Sequence, residues 1–147
     1  MNEPTYRHLL AAVDFSSPCE RLIQKAMALA KACDAALSVV HVVEYAPIDP
    51  TGEGLLPGTL EVTDELRSRA EAKLAKWCQQ HQLSEAPRLL GSGSVKGEIV
   101  RLATEHNCDL IVIGSHERHG LRLLFGSTED SVRHAAPCDV LAVKLDT

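Results

Sequence analysis

Asp109-Leu110-Ile111-Val112-Ile113-Gly114-Ser115-His116, with Gly126-Ser127-Thr128 and Val140-Leu141-Ala142-Val143 beyond it, decides how this chain folds. The unbroken apolar run 110–113 predicts a strand buried on both faces, the usual pattern of a strand inside a parallel sheet. Gly114 ends it, and a polar loop from Ser115 to His119 follows. Gly126-Ser127-Thr128 opens a short helix that stops at Pro137, and Val140, Leu141, Ala142 and Val143 form a last strand. Two Gly-Ser steps, one after a strand and one at a helix start, suggest anion binding. Amides at a helix N-terminus point outward, and the helix dipole favours negative charge there.

Working outward from this stretch, Leu9-Leu10-Ala11-Ala12-Val13 predicts a first strand that ends at Asp14. Ser17-Pro18-Cys19-Glu20 fits a capping box with proline at the first helical position. Leu22, Ile23, Ala26, Met27 and Ala30 then share one helical face. A second strand spans about residues 36–43, and the Pro/Gly-rich stretch 46–58 reads as an exposed loop. Val62, Leu66, Ala70 and Leu74 mark the inward stripe of a long helix ending near His81. Arg88-Leu89-Leu90 is a short strand, and Gly91-Ser92-Gly93-Ser94 reads as a turn with Ser94 as the next N-cap. Ile99, Val100 and Ala103 face inward on a helix that stops near Asn107.

Strands alternating with helices predict an α/β fold: a single doubly wound, five-stranded parallel sheet of order 3-2-1-4-5 with helices on both faces. Strands 1 and 4 then meet at the topological switch point, and ligands bind beside the carboxyl ends there. Asp14 and Gly114 both fall at that point. The sequence shows no internal repeat or boundary, so residues 1–147 are expected to form one domain.

Composition excludes several functions. The net charge of −5 and the absence of a Lys/Arg run argue against nucleic-acid binding. No apolar run reaches the ~20 residues that span a bilayer, and the N-terminus carries no signal-peptide core, so a cytoplasmic, membrane-free protein is expected. Cys19, Cys33, Cys78, Cys108 and Cys138 are odd in number and scattered, which suits reduced core thiols better than disulfides or a zinc ribbon. With only five Phe, Trp and Tyr residues, the core must be aliphatic.

Most candidate site residues have an ordinary structural reading beside the functional one. Asp14 could contact a ligand in the switch-point crevice, or simply solvate a strand end. Val42 or Val43 could line a ligand pocket, but any buried strand would carry valine there. Ser127 could donate to a phosphate, and it also suits an N-cap with Asp130 three residues on. His116-Glu117-Arg118-His119 is not H-E-x-x-H and offers no third ligand, so no metal site is expected. Gly91-x-Gly93-x-x-x-Gly97 has the wrong spacing and the wrong strand for a dinucleotide fingerprint, and no Walker A sequence occurs. Cys19 lies near a helix N-terminus, which can lower a thiol pKa, but a structural cysteine is the simpler reading. No nucleophile has a visible partner, so catalysis is not expected.

Residues 9–16, the His41 step, Gly91-Ser92-Gly93, residues 109–116 and Gly126-Ser127 together resemble the universal stress protein family. No one of these motifs is specific alone; their order and spacing along nearly the whole chain carry the resemblance. It implies a small cytoplasmic α/β protein of the adenine-nucleotide alpha-hydrolase-like type, usually dimeric and produced under stress. It also implies a ligand site at Asp14, Val42, Gly114, Ser115, His116, Gly126, Ser127 and Thr128.

One branch of the family binds ATP through Gly-x-x-Gly, a spacer and Gly-Ser/Thr; the UspA-like branch lacks this pattern. Here Glu117 stands at the second glycine position, and only eight residues separate it from Gly126. A carboxylate ~4 Å from a phosphate costs roughly 1 to 4 kcal/mol, about one to three decades of affinity. The resemblance thus implies a UspA-like, non-enzymatic homodimer with weak or absent nucleotide binding. The alternative is an ATP-binding switch or weak ATPase using ATP with Mg. An apolar last strand without proline suits pairing of Val140, Leu141, Ala142 and Val143 across a two-fold axis.

Overall fold

The apolar runs assemble side by side as a parallel sheet of order β3-β2-β1-β4-β5, as the alternation of elements predicts. The structure is a computed structural model that describes residues 5–44, 59–115 and 128–145. Its strands are β1 (His8–Ala12), β2 (Ala36–Glu44), β3 (Arg88–Gly93), β4 (Leu110–Ser115) and β5 (Asp139–Lys144). Its helices are α1 (Cys19–Cys33), α2 (Thr59–Gln80), α3 (Val95–Glu105) and α4 (Thr128–Ala135).

Strand periodicity splits the core in two. Leu9, Ala11 and Val13 of the β1 run join Val39, Leu110, Val112 and Val143 beneath α1 and α2. Leu10, Val40, Val42, Ile111 and Ile113 join Ile99, Leu102, Ala103 and Val132 beneath α3 and α4. Leu9, Leu10 and Ile111 are fully buried, each contributing about 1.5–3 kcal/mol of burial free energy.

Several local expectations are corrected. Gly91, Ser92 and Gly93 do not turn; they continue β3, opposite Val42, Val43 and Glu44. The neighbouring strand offers a full ladder, and this outweighs the weak strand propensity of a Gly-Ser run. Ser94 does cap α3, accepting from the Gly97 amide at 3.2 Å. Ser115 is the last residue of β4 rather than loop, paired with Lys144. On α3, Leu102 is buried and Val100 only half-buried. Leu66 is 42% exposed, so the α2 stripe begins lower down, at Leu74, Trp77 and Cys78. Val62 lies among the residues whose side chains are outside the described set.

The predicted capping box at Ser17 does not form: α1 has no side-chain cap bond. The amides of Cys19, Glu20 and Arg21 instead bond the carbonyls of Ser16, Ser17 and Pro18, a tight 3₁₀-type entry. Three helices end alike, without glycine. Asp34, Gln82 and Asn107 take positive φ of 55°, 58° and 55°. The next amides, from Ala35, Leu83 and Cys108, reach back to Ala30, Cys78 and Ala103 at 2.8–2.9 Å. This is the Schellman pattern, with an apolar residue after the left-handed one packing inward. In α4, Arg133 and His134 occupy the last turn, the dipole-favourable end.

Candidate functional site at the carboxyl end of the sheet

The strands do not end at one height, and this makes the site. β1 stops at Ala12, whereas β2 runs to Glu44 and β4 to Ser115. Ala11 pairs with Val112 and Ala12 with Val40. Beyond those pairs the Val13 amide still donates to the Val40 carbonyl at 2.9 Å, and Asp14 follows where the β1 ladder has ended. The result is a notch above β1. The chain leaves β1 for α1 on one face of the sheet, while α4 lies on the other. That is the switch-point crevice the sheet order predicts.

Asp14 is exposed at the floor of this notch. Its Oδ1 accepts the Ser16 amide at 3.0 Å and the Ser16 hydroxyl at 2.6 Å, an Asx turn that leads the chain into α1. Val42 faces the α3/α4 side and is 9% exposed, so its principal role is core packing, with its edge at the notch. Ser115 is half-buried, and its carbonyl accepts the Leu145 amide at 3.0 Å. Gly114 is explained by packing. A Cβ there would collide with the Leu145 side chain, lying 3.2 Å from its Cγ, with Leu22 Cδ1 at 3.5 Å. His116, Gly126 and Ser127 lie outside the described residues, as does Glu117; Thr128 is the first residue of α4.

A residue the sequence reading missed stands beside Asp14. Phe15 has φ of +65°, a conformation costing a non-glycine residue about 1–2 kcal/mol. Its ring lies 4.2 Å from the His41 ring and 6.3 Å from Trp77, and Lys73 Nζ sits 5.0 Å above it. Trp77 in turn stacks on His81 at 4.2 Å. Aromatic pairs contribute about 0.5–1.5 kcal/mol each and an exposed cation–π contact about 0.5–1 kcal/mol, enough to offset the strain. His41 Nδ1 donates to the Val13 carbonyl at 2.8 Å, which ties β2 to the same kink.

Cys19 is buried against the kink. Burial pushes its thiol up to about 11 and the Asp14 carboxylate adds to this, while the amides of Asp14 and Phe15 pull the other way. The helix-terminal position does not activate it, and the structural reading of this cysteine holds.

One serine–histidine contact emerges that the sequence did not reveal. His8 Nε2 lies 2.7 Å from Ser38 Oγ, and His8 Nδ1 donates to the His106 carbonyl at 3.0 Å. The Ser38 hydroxyl is 1% exposed and sits towards the amino end of the sheet. It ties β1, β2 and the end of α3 together and cannot meet a substrate. A cleft of about 570 Å³ runs along the β3 edge, lined by Arg67, Arg88, Glu71 and Glu85 over Leu74 and Leu102. Its two cations and two anions balance, so it is no anion site. Among the described residues no cluster of His, Cys, Asp and Glu could hold a metal ion. No described helix is long and apolar enough to cross a membrane.

The doubly wound parallel sheet of order β3-β2-β1-β4-β5, with its notch between β1 and β4, has the adenine-nucleotide alpha-hydrolase-like fold. The family model described as "Universal stress protein family" matches residues 5–144. The chain belongs to that family. It is 38% identical over 138 residues to universal stress protein A homolog 1 of Coxiella burnetii, covering 94% of this chain and 96% of that relative. Among solved structures it is similar to a universal stress protein in complex with cAMP, at TM-score 0.71 and 21% identity, covering 96% and 99% of the two chains. It is also similar to the universal stress protein from Archaeoglobus fulgidus in complex with dAMP, at TM-score 0.59 and 24% identity, covering 95% and 98%.

Proposed function

We propose that this protein is a cytoplasmic, non-enzymatic stress-response module, a homodimer whose sheet-end crevice takes an adenine nucleotide weakly. The observation that carries this reading is the notch itself, where β1 stops at Ala12 just before Asp14 while its neighbours β2 and β4 run on to Glu44 and Ser115. Two solved relatives of the same fold, in complex with cAMP and dAMP, lend it support. Asp14 would contact the nucleotide at the crevice floor. Gly126, Ser127 and Thr128, leading into α4, would hold phosphate on helix-end amides, with Mg as counter-ion. Glu117 would oppose phosphate by its charge, keeping affinity low.

For the dimer, β5 is an edge strand of the sheet and Leu141 on it is 37% exposed. Antiparallel pairing of two β5 strands would cover that edge.

The intact Gly126-Ser127-Thr128 step favours a second reading, an ATP-dependent switch or weak ATPase. Calorimetry with Mg-ATP, after mass spectrometry for co-purified nucleotide, separates the two. The proposal expects weak binding that Glu117→Gly strengthens about tenfold or more, with no phosphate released. Tight binding and hydrolysis would favour the switch. No heat at millimolar ATP from either protein would remove the nucleotide from the proposal.

A further inference from the structure

Four described residues other than glycine have positive φ: Phe15, Asp34, Gln82 and Asn107. Three of them end helices, where one left-handed residue closes the last turn. Phe15 ends no helix. It stands where β1 becomes the crevice, and it carries the bulkiest side chain of the four. Backbone strain of this kind persists only where the surroundings over-determine it.

Those surroundings are specific. The Phe15 ring is held by His41 from β2 and by Trp77 and Lys73 from α2. Trp77 is 8% exposed and stacked on His81, whose Nε2 lies 3.5 Å from Glu20 Oε1 in the first turn of α1. One strand and one helix, distant in sequence, thus converge on one ring. The residue before that ring is Asp14, and the residue after it donates twice to Asp14 Oδ1. The Phe15 dihedral thus sets where these two donors stand against the carboxylate.

We infer that Phe15 is a positioning residue for the crevice: its ring, clamped by His41, Trp77 and Lys73, locks the left-handed kink that aims Asp14 at the nucleotide. This rests on the crevice taking a nucleotide. Phe15 touches no ligand in this scheme; it acts through Asp14. Losing the ring relaxes the kink towards ordinary φ and frees the Asx turn.

Amide hydrogen exchange by NMR on the full chain tests the lock without any ligand, and Mg-ATP titration tests what the lock is for. In Phe15→Leu the Ser16 amide should exchange at least about tenfold faster, while Ile111 in β4 keeps its protection. Phe15→Tyr should behave as wild type. Lys73→Gln, a surface change that leaves the core intact, should show a smaller acceleration at the same amide. In the titration, Asp14→Asn and Phe15→Leu should each weaken binding, and the double variant should be no weaker than the weaker single, since both act through one group. An unchanged Ser16 amide in Phe15→Leu and Lys73→Gln, or additive losses in the double variant, overturns the inference. A faster Ser16 amide in a protein that takes up no Mg-ATP overturns the nucleotide reading and leaves the lock standing.

Discussion

Leu145 fills the space beside Gly114 where a side chain would have to go. The Leu145 Cγ lies 3.2 Å from the position of a Cβ on Gly114, its Cδ1 lies closer still, and the side chain is 6% exposed. Gly114 lies in β4 opposite Val143 of β5, and Leu145 follows directly on the end of β5. Gly114→Ala should therefore destabilise by about 1–3 kcal/mol through overpacking. Leu145→Ala in the same chain should recover part of that loss. Urea unfolding of the two singles and the double measures it, and a neutral Gly114→Ala would return this glycine to the ligand.

Asp109 ties the amino end of β1 to β4. Its carboxylate accepts the Arg7 amide at 2.9 Å and the His8 amide at 3.0 Å. Burial pushes its carboxyl up, but these two amides and its own hold it below the ordinary value. The folded pKa lies below the unfolded one, so the stabilisation is present above about pH 4 and is lost as pH falls through the folded value. Asp109→Asn should be less stable than wild type at pH 7, and the two unfolding midpoints should converge in acid. A gap that stays constant down to pH 2 would contradict the assignment.

Leu141 and Val143 sit on one strand but do different work. Leu141 is 37% exposed, whereas Val143 is 5% exposed and packs beneath α1 with Leu145. A charge at Leu141 should give folded monomers in sedimentation if β5 pairs across a two-fold axis. A charge at Val143 should unfold the protein, since burying an unpaired charge is strongly unfavourable. A Leu141→Glu protein that remains dimeric would move the interface elsewhere.

The thiols should react in order of access. All five cysteines are free. Burial pushes Cys19 and Cys108 up to about 11 and raises Cys78 and Cys138. Cys33 is only half-buried, in the last turn of α1. In native protein at pH 8, a maleimide should label Cys33 first and leave Cys19 and Cys108 untouched until unfolding, as mapped by mass spectrometry. Early labelling of Cys19 would mean the helix terminus does activate it.

Much of the fold was legible because its signals are local. The run 110–113 read as a buried strand from its apolar residues alone, and right-handed crossovers with one reversal of winding favoured the sheet order that forms. The α1 face of Leu22, Ile23, Ala26, Met27 and Ala30 followed from helical spacing; all are buried but Met27, which is half-buried. Where the reading failed, a partner overrode local preference. Gly91, Ser92 and Gly93 look like a turn until β2 supplies a ladder. Leu66 has the spacing of a core residue, yet in the folded chain it is 42% exposed.

The candidate site divides the same way. Asp14 and the switch point came from the chain alone, since strand order and a polar strand end are both written in sequence. The sequence thus determined the element types, the two-faced sheet and the family. Tertiary structure alone decided that β1 stops short of β2 and β4, that Gly114 yields its space to Leu145, and that Ser38 bonds His8. It also decided the Phe15 kink, because phenylalanine has no intrinsic preference for positive φ. That conformation is set by His41, Trp77 and Lys73, which are distant in sequence and meet only when β2 and α2 pack against the end of β1.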